Sequence, residues 1–350
     1  MSGMNEINFV EPELIAEAGV NHEGNLNIAK QMIVEAAKLG LKYIKFQSYK
    51  KETITAKESP SYWDLHSEPS TSQYELFSKY DSFGIDDYYE LANLSVKNDI
   101  EFMTTCFDLE MVRNLDPLLK RYKIASADLT NRKLVEEIAS KSKPILLSTG
   151  ASTIQEIEES ISWIKKIDSH ISITLLHCVL NYPTKIENAN LSRINILKKE
   201  FPECKIGYSD HTSPKDSFKV IPYAILCGAT IIEKHFTLDK SLQGNDHYHS
   251  FDPKDFHNLK REINLGIKIF AYSESSFIDL QNQARKYARR GIYASSDINM
   301  GESITESNVI ALRPTLDKNG YSADEFHKII GKRAKIRINA GDPILEQYLN

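Results

Sequence analysis

The sequence predicts a (β/α)8 TIM barrel followed by a small, mostly β domain. Three observations carry this prediction. Short β-rich runs alternate with helical periodicity eight times between Leu14 and Phe270, each run ends in polar residues, and the pattern changes after Arg285 to short runs broken by turns. Strands alternating with helices imply right-handed crossovers and a parallel sheet, and eight such units favour a closed barrel over an open doubly wound sheet.

The predicted strands are Leu14–Glu17, Tyr43–Gln47, Glu101–Thr104, Tyr122–Ala125, Pro144–Ser148, Ser172–His177, Lys205–Tyr208 and Thr230–His235. Helical spacing of apolar residues marks Ile28–Leu39, Ile85–Asn98, Leu134–Lys141, Thr153–Ile167, Ile194–Lys199, Pro214–Cys227 and Pro253–Phe270. Residues Lys50 to Gly84 break the alternation, so they read as a long insertion after the second strand, suited to a lid or substrate loop. Its aromatics Tyr62, Trp63 and Tyr74 are expected to pack the insertion onto the barrel. These features divide the chain into a barrel domain over 1–272, a polar linker over 273–285 and a compact domain over 286–350. In the last, Gly291–Ala294, Asp297–Gly301, Ile304–Thr305, Val309–Pro314 and Gly331–Leu345 are expected as short strands. The basic run Arg285–Arg290 reads as a solvated face.

Composition bounds the partners. The 350 residues are 26% charged and 41% hydrophobic, as in a soluble globular protein. A net charge of -5 argues against a nucleic-acid or anionic-membrane surface as the main partner, so an anionic substrate must be met by local lysines. Met1–Pro12 lacks the basic and apolar pattern of a signal peptide, and Pro222 and Gly228 interrupt the longest apolar stretch. Cys106, Cys178, Cys204 and Cys227 are too widely spaced for a zinc cluster or a disulfide framework, and a reduced cytoplasm is expected.

In a barrel of this kind chemistry sits at the C-terminal strand ends. Those ends carry Glu17, Lys45 with Gln47, Thr104 with Thr105, Lys123 with Ser126 and Asp128, Ser148 with Thr149, His177 with Asn181 and Tyr182, Ser209 to His211, and Glu233 with His235. His211 and His235 close neighbouring strands, where two imidazoles can hold a divalent cation with open positions or can close the strands by hydrogen bonds. Lys45 and Lys123 lie inside apolar runs and need an anion beside them. With the hydroxyls and a Ser148-Thr149-Gly150 turn opening a helix, they suggest a bound phosphate and carboxylate. The combination points to a small phosphorylated acid reacting with a metal-polarised carbonyl.

Specific motifs accompany this pattern: Ala16-Glu17-Ala18-Gly19-Val20-Asn21-His22-Glu23-Gly24, Lys45-Phe46-Gln47, Tyr122-Lys123-Ile124-Ala125-Ser126, Leu147-Ser148-Thr149-Gly150, His177-Cys178 with Tyr182-Pro183, Ser209-Asp210-His211-Thr212, Glu233-Lys234-His235-Phe236 and Ile310-Ala311-Leu312-Arg313-Pro314. Across nearly the whole chain they resemble the sialic acid synthase family of phosphoenolpyruvate-dependent nonulosonate synthases, whose tail is an antifreeze-like (SAF) domain. The resemblance implies a domain-swapped homodimer. It also implies a reaction of phosphoenolpyruvate, an N-acetylmannosamine-type aldose or its 6-deoxy diacetamido analogue, and water that yields a nonulosonic (sialic-type) acid and phosphate for surface glycans.

By the same resemblance His211 and His235 would bind a divalent ion, Mn2+ first, with Mg2+ or Co2+ as alternatives. That ion would polarise the aldehyde for attack by C3 of phosphoenolpyruvate, with water capturing the cationic C2. Lys45 and Lys123 would neutralise carboxylate and phosphate with Thr105, Ser126, Ser148 and Ser209, and Glu17 and Asp128 would do acid and base work. Gln47, Tyr182, Asp246 and, across the dimer, Arg313 would orient the sugar, with Phe107 also in the substrate site.

Two stretches depart from the family pattern. Val179-Leu180-Asn181 replaces the usual residues before Tyr182, shifting a phosphate contact to Asn181. Gly244–Ser250 differs from the usual loop; its His247 and His249 are expected as solvent-exposed loop histidines, contact with substrate or metal being the alternative. The acceptor sugar therefore stays open, a spore-coat or capsule precursor being one alternative. A metal-dependent aldolase or hydrolase on the same barrel, and a carbohydrate- or ice-binding role for the last domain, are the competing classes.

Overall fold

The computed structural model describes residues 9–63, 65, 68–244, 246–314 and 320–350. Eight parallel strands close into a barrel in sequence order: β1 (Glu13–Gly19), β2 (Tyr43–Ser48), β3 (Glu101–Cys106), β4 (Tyr122–Ile124), β5 (Ile145–Ser148), β6 (Ile173–His177), β7 (Lys205–Asp210) and β8 (Ile231–His235). The predicted fold class is what the chain adopts, and every predicted barrel strand is present within two residues at either end.

The helices are α1 (Leu26–Lys38), α2 (Lys51–Ile54), α3 (Gln73–Tyr80), α4 (Ile85–Lys97), α5 (Leu109–Leu115), α6 (Arg132–Ala139), α7 (Ile154–Ile167), α8 (Ser192–Glu200), α9 (Pro214–Leu226) and α10 (Pro253–Phe270). Their apolar stripes face the strands, and local signals set their starts. Asn25 caps α1 by accepting from the amides of Asn27 and Ile28, and Thr153 with Glu156 forms a capping box on α7. Helix α5 is not marked by the sequence pattern, although Asp108 caps it through the Met111 amide; seven residues are too few to establish a period.

Strand periodicity places the site. Ile15, Tyr43, Met103, Leu146, Leu176 and Ile231 form a separate apolar cluster inside the barrel. Two residues further along, on the same face of four of those strands, stand Glu17, Lys45, Thr105 and Glu233, and Ser148 follows Leu146 in the same way. The barrel is thus plugged by hydrocarbon below a polar layer. Gly207 is required in β7, because a Cβ there would lie 2.5 Å from the Leu176 side chain and 2.7 Å from the Ile231 carbonyl.

Some expectations need correction. The Ser148-Thr149-Gly150 turn does not open a helix: β5 ends at Ser148 and α7 begins at Ile154, behind its own Thr153 cap. The insertion is not structureless, since it contains α2 and α3.

The chain divides after Phe270 into two compact units. The stretch expected as a linker carries two short helices, α11 (Glu274–Asp279) and α12 (Asn282–Ala288), the second holding most of the exposed basic run. Of the five strands expected beyond it only two form, the antiparallel pair β9 (Gly291–Ala294) and β10 (Val309–Leu312). The others meet through isolated bridges such as Ile298 to Ile338 and Ser303 to Arg333, because turns interrupt each run before a ladder can extend. A core including Ile292, Ile298, Ile304, Ile338 and Ile344 holds this unit, and a last short helix, α13, spans Phe326–Ile329. Among the described residues no helix is long and apolar enough to cross a membrane.

Candidate active site

A cavity of about 350 Å³ opens at the C-terminal ends of the strands. Its size lies within the range of small-molecule sites. Glu17, Lys45, Gln47, Thr105, Lys123, Ser148, Ser209, Glu233 and His235 line it from the strands, and Phe107, Ser126, Asp128, Tyr182, His211 and Asp246 from the loops. Of the predicted site residues in the barrel, Asn181 alone stays outside this lining. It is exposed, its carbonyl accepts from Thr184 Oγ1, and Leu180 lines the cavity instead. Arg313 lies in the second unit and is exposed there, directly after β10.

The closed end of the cavity is charged. Lys45 Nζ contacts Glu17 Oε2, lies 3.7 Å from Glu233 Oε2 and donates to Thr105 Oγ1 at 3.1 Å. Lys123 Nζ lies 3.8 Å from Glu233 Oε1, and its shortest hydrogen bond, to its neighbour's carbonyl, is 3.4 Å. Glu233 also accepts from Ser209 Oγ at 2.9 Å. The anion that Lys45 needs beside it comes from the protein itself, from Glu17 and Glu233. Lys123 is different, because an ammonium has three donors and this one has little to spend them on.

The two carboxylates are pushed in opposite directions. Burial raises the Glu17 carboxyl, opposed by Lys45 and reinforced by the charge of Glu233. Glu233, although equally buried, is held down to about 2 by Lys123 and Lys45. The same carboxylates hold the Lys45 ammonium above its ordinary value against burial, whereas burial lowers Lys123. Asp128 is raised by burial. Ser148 Oγ is buried without a partner, while Ser126 Oγ accepts from the Gly150 amide at 3.0 Å. Glu233 is among the polar strand ends expected at the site, but without an expected role. A signal for it is nevertheless legible: a glutamate inside the run Ile231–Phe236 is as anomalous as a lysine inside Tyr43–Phe46.

The other end carries imidazoles. His211 Nδ1 bonds the Val179 carbonyl at 2.7 Å, which assigns the proton to Nδ1 and leaves Nε2 an acceptor, 3.5 Å from Ser209 Oγ. The His211 and His235 rings are 5.5 Å apart, and His235 and His249 4.6 Å apart. His235 Nδ1 lies 3.1 Å from Asp246 Oδ2, and Tyr182 packs 4.4 Å from His211. Burial keeps His211 neutral down to about 4. This donor set fits a divalent cation, for which neutral imidazole is the usual nitrogen ligand. The expectation for the following loop is overturned, since His247 and His249 are fully buried. No periodicity in the sequence marks the short 3-10 turn over His247–His249 that buries them.

Behind the two histidines, in-register neighbours form a buried ion pair. Lys234 Nζ lies 2.9 Å from Asp210 Oδ2 and donates to the Thr212 carbonyl at 2.6 Å, and Asp210 also accepts from Thr212 Oγ1 and Ser217 Oγ. The insertion supplies one wall of the cavity through Tyr62, Trp63, Gln73 and Tyr80, so its aromatics do more than pack. Trp63 Nε1 donates to the carbonyls of Glu68 and Ser70.

Fold and site together define a barrel enzyme that gathers paired lysines and hydroxyls at one end of its cavity and imidazoles at the other. Residues 32–272 match the NeuB family and 289–349 the SAF domain. The chain belongs to the NeuB family and is an enzyme of the N-acetylneuraminate synthase type. It is 34% identical to the N,N'-diacetyllegionaminic acid synthase of Legionella pneumophila, over 100% of this chain and 99% of that one. It is 37% identical to the Campylobacter jejuni synthase of the same name, over 92% and 95%. The crystal structure of N-acetylneuraminic acid (sialic acid) synthetase from Leptospira borgpetersenii, in complex with citrate, matches at 34% identity and a TM-score of 0.67, covering 79% of this chain and 94% of that one.

Proposed function

We propose that the protein condenses phosphoenolpyruvate with an N-acylated mannosamine-type aldose and water, giving a nonulosonic acid and inorganic phosphate. The observation that carries this reading is the cavity's closed end, where Lys45 and Lys123 flank one carboxylate among the hydroxyls of Thr105, Ser148 and Ser209. Phosphoenolpyruvate has two anionic groups, and the spare donors of Lys123 with the unpartnered Ser148 hydroxyl suit one of them.

The raised carboxyls of Glu17 and Asp128, against the fixed charge of Glu233, support a division of the proton chemistry between the first two. Glu17 neighbours His235 in strand register and can give a proton to the aldehyde oxygen as that oxygen becomes a hydroxyl. Asp128 stands after β4 beside Ser126 and takes the proton of the water that adds to C2. The phosphate then leaves as C2 becomes a carbonyl. Glu233 remains a fixed anion that holds the lysines apart. A divalent cation at His211 and His235 would supply Lewis-acid polarisation of the aldehyde. Gln47, Phe107, Tyr182 and Asp246 line the space for the sugar.

This reading entails a cytoplasmic homodimer in which Arg313 of one copy serves the other. Legionaminic and sialic names among the relatives bracket the acceptor class without selecting one sugar. The test is a panel of N-acylated aldoses incubated with phosphoenolpyruvate and Mn2+, followed by phosphate assay and mass spectrometry. Phosphate release that needs both substrates, with a keto acid of the summed carbon count, is expected. Phosphate release without aldose, or none from any aldose, rejects the reading.

A further inference from the structure

His249 lies outside the cavity lining, packed directly behind His235 and Tyr182, and its hydrogen bonding is the anomaly of this region. Its ring is 0% exposed, yet neither Nδ1 nor Nε2 has a hydrogen-bond partner among the described residues. An unsatisfied buried polar group costs about 1–3 kcal/mol. The neighbouring histidine two positions earlier shows what a structural imidazole looks like in the same turn. His247 Nδ1 pairs with Thr237 Oγ1 at 2.8 Å and Nε2 lies 3.4 Å from Glu23 Oε1, so both of its nitrogens are occupied.

His249 is aimed at a different set of groups. Its Nε2 lies 3.8 Å from Asp246 Oδ1, whose other oxygen faces His235 Nδ1 at 3.1 Å. One ligand atom each from His235, Asp246 and His249 fall within 4.8 Å of one another. At bond lengths of about 2.1 Å, two ligands of one ion lie at most about 4.2 Å apart, so sub-ångström adjustment suffices. His211 stands outside that group of three, its ring 5.5 Å from that of His235.

We propose that this protein holds its divalent cation with three imidazoles and one carboxylate, His249 and Asp246 joining His211 and His235. The inference rests on the proposed function for where the ion acts, but not for whether it binds. A nitrogen-rich set discriminates by chemistry: affinity rises from Mn2+ through Fe2+ to Co2+, while Mg2+ demands oxygen ligands and retains its waters. Asp246 thereby belongs to the ion as much as to the sugar.

The test uses the full-length protein, stripped with a chelator and titrated with Co2+, Mn2+ and Mg2+ by calorimetry and, for Co2+, visible absorption. One Co2+ per chain is expected, with Mg2+ far weaker. His249→Ala should weaken Co2+ at least about tenfold and alter its d–d spectrum, and Asp246→Asn should do the same. His249→Gln keeps the volume of the side chain and guards against a folding defect. Metal-free melting of the His249 variants should be unchanged or raised, while the melting shift on adding Co2+ shrinks. Unchanged affinity and spectrum in His249→Ala, while His211→Ala and His235→Ala lose the ion, would overturn the inference and leave the proposed function standing. Loss of Co2+ affinity in His249→Ala in a protein that condenses no aldose would reject the proposed function and support the four-ligand site. Mg2+ binding as tight as Co2+ would also overturn the inference.

Discussion

The two ends of the cavity are built by different means. At the closed end Glu17, Lys45, Thr105, Lys123, Ser148, Ser209 and Glu233 all sit on strands, and their charges largely answer one another. At the other end His235 alone of the imidazoles lies on a strand. His211, Tyr182, Asp246 and His249 stand on loops, and the imidazoles there are neutral or unpartnered. The strand-borne end can be positioned by register alone and suits a ligand portion that does not change. The loop-borne end is where a cation and a variable sugar can be accommodated without disturbing the barrel.

Breaking the closed end should have the largest effect. Lys45→Met leaves Glu17 and Glu233 without their shared cation and should cost about 3–5 kcal/mol in urea unfolding, with activity down at least about a thousandfold. Restoring stability with Glu233→Gln in the same chain, but not activity, would confirm that charge balance and ligand binding are separate duties of this end. Equal losses from Lys45→Met and from an exposed lysine variant would refute the distinction.

Glu17→Gln comes next, with turnover falling about a hundredfold to a thousandfold. Its raised carboxyl must also shape the pH profile. Under the proposed roles it gives its proton to the aldehyde oxygen, so turnover should decline as pH rises through its folded value, and the variant should lose that limb.

An imidazole away from the cation cluster gives the reference for what burial alone does. His22 is held neutral by burial down to about 4, against about 6.5 unfolded, and stacks on Phe83 at 4.3 Å. Its contribution is present above pH 6.5 and is lost as pH falls towards 4, because the unfolded chain takes up the proton first. The loss is on the order of 3 kcal/mol. His22→Asn should flatten the fall in denaturation midpoint between pH 6.5 and 4, and an unchanged fall would place the sensitivity elsewhere.

The smallest stability effect is expected at the loop after β5. A Cβ at Gly150 would stand 2.9 Å from both Cys178 Sγ and Ser126 Oγ, so Gly150→Ala should cost about 1–3 kcal/mol and weaken phosphoenolpyruvate before the aldose. Trp63→Ala, on the insertion wall, should do the reverse and raise the Michaelis constant of the aldose alone. If both variants moved the two constants together, the ends of the cavity would not be independent.

What can be read in the sequence follows the same division. Lys45 in Tyr43-Ile44-Lys45-Phe46 and Lys123 in Tyr122-Lys123-Ile124 stand out because a charge inside a strand run has few places to go. Glu233 obeys the same logic, and its role as a counterion is missed only while the counterions of those lysines are sought outside the protein. Asn181 and His249 cannot be placed from sequence, since neither lies on a repeating element and a loop's direction is set by tertiary contacts. The barrel emerges from alternation, whereas the second unit, held by single bridges, offers too little period to count its strands.

The buried pair of Lys234 and Asp210 acts as a spacer for His211 and His235. Side chains alternate along a strand, so each partner immediately precedes a histidine and points away from the cavity. Joining 210 to 234 on the outer side sets the gap between 211 and 235 on the inner side without consuming any of the space the substrates need. The distance between two ligands is thus fixed by an interaction neither of them makes, and the pocket can be remodelled residue by residue while its reference length stays constant.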